Sequence, residues 1–167
     1  MKFIIDLETF GLEPQTDRIL SIGVMNLETE EIKVFIDADE SKMLTQFWDY
    51  VINATDFITF NGDGFDLPYL IKRSLINRVR VTNIPPNHTD LRKIVNGFWF
   101  SYNRFEKGKL RDWCPALGIT CETEDGSQMP ALFARGDFEA IKQHNTEDLV
   151  MTRKLYKLIE YCNLIKN

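Results

Sequence analysis

Apolar residues crowd into three short runs near the start of the chain, residues 2–7, 19–27 and 31–36, each rich in the β-branched and aromatic side chains that suit a pleated surface. A turn containing Gly, Pro and Asp separates the first two, and Glu28-Thr29-Glu30 separates the second pair, so the pattern predicts a three-strand antiparallel meander. Helical spacing follows through Met43, Phe47, Tyr50 and Val51. A second short apolar run, 57–60, stops at Asn61-Gly62-Asp63-Gly64 and gives way to a helical stretch over 67–77. This strand, loop and crossover helix predict a parallel strand added to the meander. The second half predicts helices over 91–97, 109–117 (closed by Gly118) and 137–161, the last broken near Gln143, with a short strand at 88–90. Residues 82–89, with Pro85-Pro86, and 122–130 read as loops. The whole is an α/β fold with a mixed sheet flanked by helices.

Composition narrows the class. With 167 residues, 44% of them hydrophobic and 12 of them Phe, the chain can bury one core, so residues 1–167 are expected to form a single domain. The opening Met1-Lys2-Phe3-Ile4-Ile5-Asp6 meets an acid before a signal-peptide core could form, and no apolar run is long enough to cross a membrane. Cys114, Cys121 and Cys162 form no C-x-x-C pair, which suggests neither a disulfide framework nor a zinc site and fits a reducing cytoplasm. A net charge of -5 argues against gripping nucleic acid by bulk positive charge, although it leaves room for an enzyme that recruits cations.

The candidate chemistry is carboxylate. Strand alternation puts Ile4, Asp6 and Glu8 on one face of the first strand, so two acids project together at its end. Asp66 stands between the Asn61–Gly64 loop and Leu67-Pro68, where an N-cap belongs; capping and a site role can coexist there. In the last helix Ile141, Leu155 and Ile159 form an apolar stripe, and His144, Asp148 and Thr152 lie on that same inward face. An inward acid needs a hydrogen-bond network, a cation or a wet cleft, since its uncompensated burial costs several kcal/mol. If Asp6, Glu8, Asp66 and Asp148 converge, they require counter-charge. Hard oxygen donors favour Mg²⁺ or Mn²⁺, and such a cluster can hold two divalent cations about 4 Å apart, the arrangement used for in-line attack on phosphodiesters. A neutral His144 beside them could accept a proton from the attacking water.

These residues resemble a known family. Phe3-Ile4-Ile5-Asp6-Leu7-Glu8-Thr9-Phe10-Gly11-Leu12 is similar to the first motif, D-x-E-T-x-G-L, of the DEDD (DnaQ-like) 3'→5' exonucleases of the ribonuclease H-like fold. Thr59-Phe60-Asn61-Gly62-Asp63-Gly64-Phe65-Asp66-Leu67-Pro68-Tyr69-Leu70 resembles the second, as found in the proofreading domains of B-family DNA polymerases. His144-Asn145-Thr146-Glu147-Asp148-Leu149-Val150 resembles the third, and residues 109–119 are similar to the helix and turn between the last two. The resemblance covers most of the chain and implies a metal-dependent 3'→5' exonuclease that engages the 3' end of a single strand. It implies that Asp6 bridges two metals, that Glu8 and Asp148 complete one metal site and that Asp66 serves the other. Thr9 and Leu12 would hold the terminal nucleotide and Asn61 would line the cleft. One departure stands out: His144 lies four positions before Asp148, the spacing of family members that carry Tyr there, whereas a catalytic His usually lies five before.

Two basic clusters, Lys72, Arg73, Arg78 and Arg80, then Arg104, Lys107, Lys109 and Arg111, could track a phosphate backbone, with Trp99, Phe100, Tyr102 and Phe105 available for stacking. Solvated helix faces and core aromatics are the plain alternative for each. At the level of function the alternatives are a binding domain on the same fold without catalysis and an endonuclease or RNA-processing enzyme. The motifs do not separate DNA from RNA.

Overall fold

A computed structural model describes residues 1–96, 108–120 and 126–165. Its elements are β1 (Lys2–Thr9), β2 (Ile19–Asn26), β3 (Ile32–Phe35), α1 (Glu40–Tyr50), β4 (Asp56–Thr59), α2 (Asp66–Ile76), β5 (Asn87–Asp90), α3 (Leu91–Val95), α4 (Leu110–Ala116), a 3-10 turn (Gly126–Gln128), α5 (Met129–Arg135) and α6 (Phe138–Tyr161). The strands form one sheet in the order β3-β2-β1-β4-β5. β1, β2 and β3 pair antiparallel, whereas β4 joins β1 and β5 joins β4 in parallel. This is the ribonuclease H-like mixed sheet, with the meander and the crossover where the apolar runs place them.

Because β1 is central, both its faces are covered. Phe3, Ile5 and Leu7 pack with Met43, Leu44, Phe47 and Trp48 of α1 and with Tyr69 and Leu70 of α2. Ile4 points the other way, into a cluster with Leu149, Leu155, Tyr156 and Ile159 of α6. Burying a side chain of this size stabilises by about 1.5–3 kcal/mol, and it is this packing that carries the polar ends of β1 and α6 to one place. A register shift at Glu8/Thr9 against β2 marks the end of β1.

Three local expectations are corrected. α6 is continuous through Gln143, because no Pro or Gly interrupts its 24 residues. Residues 129–135, partly assigned to a loop, form α5, with Pro130 tolerated in the first turn and left-handed Gly136 at its end. Asp66 does not cap α2: Phe65 holds the cap position without a side-chain bond, and the Asp66 carboxylate instead accepts from Leu7 N at 3.2 Å, tying the start of α2 to β1.

The segment between β1 and β2 is latched from α1 and α2. Tyr69 donates its hydroxyl to Gly11 O and Asp17 O, both at 3.1 Å, and Arg73 donates to Pro14 O at 2.9 Å. Arg73 is itself buried in an ion pair with Glu40, which also accepts from Ile19 N at 2.8 Å. Arg73 therefore serves structure and does not track a backbone; Lys72, Arg78 and Arg80, beside it in sequence, are exposed. Arg104, Lys107, Trp99, Phe100, Tyr102 and Phe105 lie outside the described residues. No described helix is long and apolar enough to cross a membrane.

Candidate active site

Three elements bring the acids together. β1 contributes Asp6 and Glu8 from the face opposite Leu7, α2 contributes Asp66 from its first position, and α6 contributes His144 and Asp148 one turn apart. His144 Nε2 lies 3.2 Å from Glu8 Oε1 and 3.6 Å from Asp148 Oδ2. Donor atoms of Glu8, His144 and Asp148 all fall within 4.8 Å of one another, close enough to share an ion. Asp6 belongs to the same cluster electrostatically: its pKa stands well above the usual 3.8 because burial disfavours the anion, and the charges of Asp148, Glu8 and Asp66 add to that. Burial likewise pushes Asp66 up to about 7; bonds from backbone N–H groups, including that of Leu7, oppose this, and the charges of Asp90 and Glu8 reinforce it.

For His144 the same acidic neighbours favour the charged form. Its burial disfavours protonation, yet the hydrogen bond and charge of Glu8, with the charge of Asp148, outweigh that and raise its pKa above 6.5, while Arg111 pulls it back. Among the described residues, His144, Lys109 and Arg111 are the cationic side chains beside the four carboxylates. Four carboxylates on one cleft, a set of hard oxygen donors, with the pKa values of Asp6 and Asp66 raised by burial and by their neighbours' charges, fit divalent cations. Asp6, Glu8, Asp66 and Asp148 are the residues that would hold them.

A cleft of about 320 Å³ opens on this cluster, with Asp6, Glu8, His144 and Asp148 beside Asn61, Lys109 and Arg111 in its walls. An adjoining cavity of about 340 Å³ is lined by Glu8, Thr9, Phe10, Leu12 and Phe65. Thr9 spends its hydroxyl on Gly11 O at 2.7 Å, whereas Leu12 is 77% exposed. Asn61 adopts left-handed φ (73°), and its backbone N–H donates to Asp90 at 2.8 Å while its side-chain oxygen accepts from Arg92 at 2.6 Å. The predicted acids and His144 therefore meet; Thr9, Leu12 and Asn61 surround them without touching them in any described hydrogen bond.

Several contributors escaped the sequence reading. Asn145, fully buried, donates to Asp6 Oδ2 at 2.6 Å. Its signal was available, since it lies four residues after Ile141 on the inward stripe. Gly126 comes so close that a Cβ there would sit 3.2 Å from Glu8 Oε2 and 3.5 Å from His144 Nε2, a tertiary approach that sequence does not reveal. Asp90 collects the N–H groups of Asn61, Asp63 and Arg92 and so shapes the loop that precedes Asp66.

The comparisons agree with this architecture. A protein from Methanocaldococcus jannaschii, described only as uncharacterized, is 39% identical over 179 aligned residues that span 99% of this chain and 98% of that protein. The structure of the family B DNA polymerase from Pyrobaculum calidifontis superposes with a TM-score of 0.71 at 16% identity, over 97% of this chain and 24% of the polymerase. At that identity the likeness speaks for the fold. A family model described as the RNase_H superfamily matches residues 3–160, and the chain belongs to that superfamily.

Proposed function

We propose that this protein is a metal-dependent 3'→5' exonuclease that hydrolyses phosphodiester bonds of single-stranded nucleic acid. The observation that carries the reading is the meeting of Asp6, Glu8, Asp66 and Asp148, from three separate elements, with His144 in a cleft that also exposes cations. Unrelated surface acids repel and spread; four kept together, Glu8 and Asp66 buried and Asp6 and Asp148 half-buried, imply a ligand of opposite charge.

Asp6, Glu8, Asp66 and Asp148 bind and orient Mg²⁺ or Mn²⁺. Two such cations, when bound, supply the Lewis acidity that polarises a phosphodiester and acidifies water. The remaining steps fall to the chain. His144, held beside Glu8 and Asp148, receives the proton of the attacking water; it works as a base only when neutral, with the accepting ring nitrogen free of hydrogen. Lys109 and Arg111, on the cleft wall, offset the charge of an incoming phosphate backbone. The cavity lined by Thr9, Leu12 and Phe65 would receive the terminal nucleotide, with Asn61 in the wall of the neighbouring cleft.

The test is degradation of 3'- and 5'-labelled single-stranded DNA and RNA with Mg²⁺ or Mn²⁺. Stepwise loss of 3' nucleotides that EDTA abolishes, and that Asp6→Asn lowers by roughly 10²–10³-fold, is expected. Release from the 5' end, cleavage of a circular strand, or full activity in chelator would overturn the mechanism. Binding without cleavage would instead support a domain that keeps the fold for recognition alone.

A further inference from the structure

Asn145 is the most constrained neutral residue at the site. It is completely buried on α6, where its side chain meets Asp6 of β1 and Ser21 of β2. Its Nδ2 donates to Asp6 Oδ2 at 2.6 Å and also faces Asp6 O at 3.4 Å. On the other side its Oδ1 faces the hydroxyl of Ser21 at 3.4 Å. Ser21 can donate to that oxygen, whereas an ionised Asp6 can only accept, so the two partners together set which way the amide points.

Space as well as polarity is arranged around it. Gly23 of β2 stands directly opposite Asp6 in the β1–β2 register. A Cβ on Gly23 would lie 2.6 Å from Asn145 Oδ1 and 2.7 Å from its Cγ, so the absence of a side chain there is what admits the amide. β2 thus supplies both the gap and the orienting hydroxyl, and α6 can approach the sheet closely at the turn that carries His144 and Asp148. An acid carboxylate crowded by three others gains from a neutral N–H donor that adds no further negative charge.

We propose that Asn145, seated over Gly23 and oriented by Ser21, is the positioning residue that holds the Asp6 carboxyl group in a fixed orientation for divalent cation binding. The proposal rests on the metal-dependent reading above and extends it to a residue that touches neither substrate nor cation. The amide engages one carboxylate oxygen and leaves the remaining lone pairs of Asp6 to the cleft. Outer partners of this kind are worth roughly 10–100-fold in metal affinity.

The decisive variant is Asn145→Leu, which nearly matches the shape of Asn but cannot donate, compared with Asn145→Ala. Mn²⁺ affinity is measured by titration calorimetry and folding by thermal melting in EDTA. If the N–H is what matters, both variants melt cooperatively and bind Mn²⁺ roughly 10–100-fold more weakly than wild type. If Asn145 merely fills the space over Gly23, Asn145→Leu binds Mn²⁺ like wild type, and the proposal is overturned. Should the leucine variant not fold, the wild-type protein decides: the side-chain amide NMR signals of Asn145 shift on saturation with Mg²⁺, whereas unmoved signals overturn the role. Wild-type protein that takes up no Mn²⁺ defeats the metal-dependent reading itself and the role of Asn145 with it. Normal uptake with an unaffected leucine variant defeats only the latter.

Discussion

Asp66→Asn should stabilise the metal-free protein at pH 8 and leave it nearly unchanged at pH 4. The Asp66 carboxyl is 5% exposed, and burial moves its pKa from 3.8 to about 7, with Asp90 and Glu8 adding to the shift. An acid raised in the folded state is harder to ionise there than in the unfolded chain. The resulting penalty is absent below the unfolded pKa, accumulates as pH rises from about 4 to 7, and is complete above that. A shift of about three units at ~1.4 kcal/mol each amounts to on the order of 4 kcal/mol at pH 8, against less than about 1 kcal/mol at pH 4. Asparagine removes the ionisation yet keeps an oxygen for Leu7 N, so the tie between α2 and β1 survives. At about 2–4 °C per kcal/mol for a domain of this size, melting in EDTA should rise by roughly 8–15 °C at pH 8 and by no more than a few degrees at pH 4. Saturating Mn²⁺ at pH 8 should shrink the difference, because wild type gains about 2.7 kcal/mol at a hundred times its dissociation constant and the variant gains less. Circular dichroism melting at both pH values decides the matter. A wild type that melts as high as the variant at pH 8 without metal, or an equal difference at the two pH values, would refute the electrostatic account.

Three further outcomes concern His144 and the Glu40–Arg73 pair. In EDTA, NMR titration should place His144 above its ordinary 6.5, as Glu8 and Asp148 favour the imidazolium; its contribution to stability is present below 6.5 and lost as pH rises through the folded value, and Mg²⁺ should lower that value. His144→Ala should cost roughly 10²–10⁴-fold in turnover, with His144→Tyr recovering part of it, and an alanine variant as active as wild type across pH 6–9 would remove the base role. Glu40→Ala should destabilise by about 3–5 kcal/mol in denaturant melts, since it strands buried Arg73 and frees the segment carrying Leu12, whereas a loss under 1 kcal/mol would show that Arg73 finds water instead.

What the sequence determined by itself is whatever short-range periodicity encodes. Alternation in β1 assigns Phe3, Ile5 and Leu7 to one face and Ile4, Asp6 and Glu8 to the other, and the helical stripe through Ile141 turns His144 and Asp148 inward. The meander and the crossover were legible on the same grounds, and the superfamily from the resemblance of three motifs in order. Tertiary structure alone decided how those faces meet. Asp66 looked like a helix cap because local chemistry favours one, but its carboxylate is drawn to Leu7 N, 59 residues away. Arg73 looked like part of a basic surface, yet α1 supplies Glu40 to bury it. The pairing of Asn145 with Asp6 depends on Gly23 lying opposite Asp6 in the register of β1 with β2, and the fit of Gly126 against Glu8 depends on a chain returning over the sheet. Periodicity fixes the direction a side chain takes from its own backbone; the partner waiting there is set by docking between elements distant in sequence, where burial and the satisfaction of polar groups outweigh local preference.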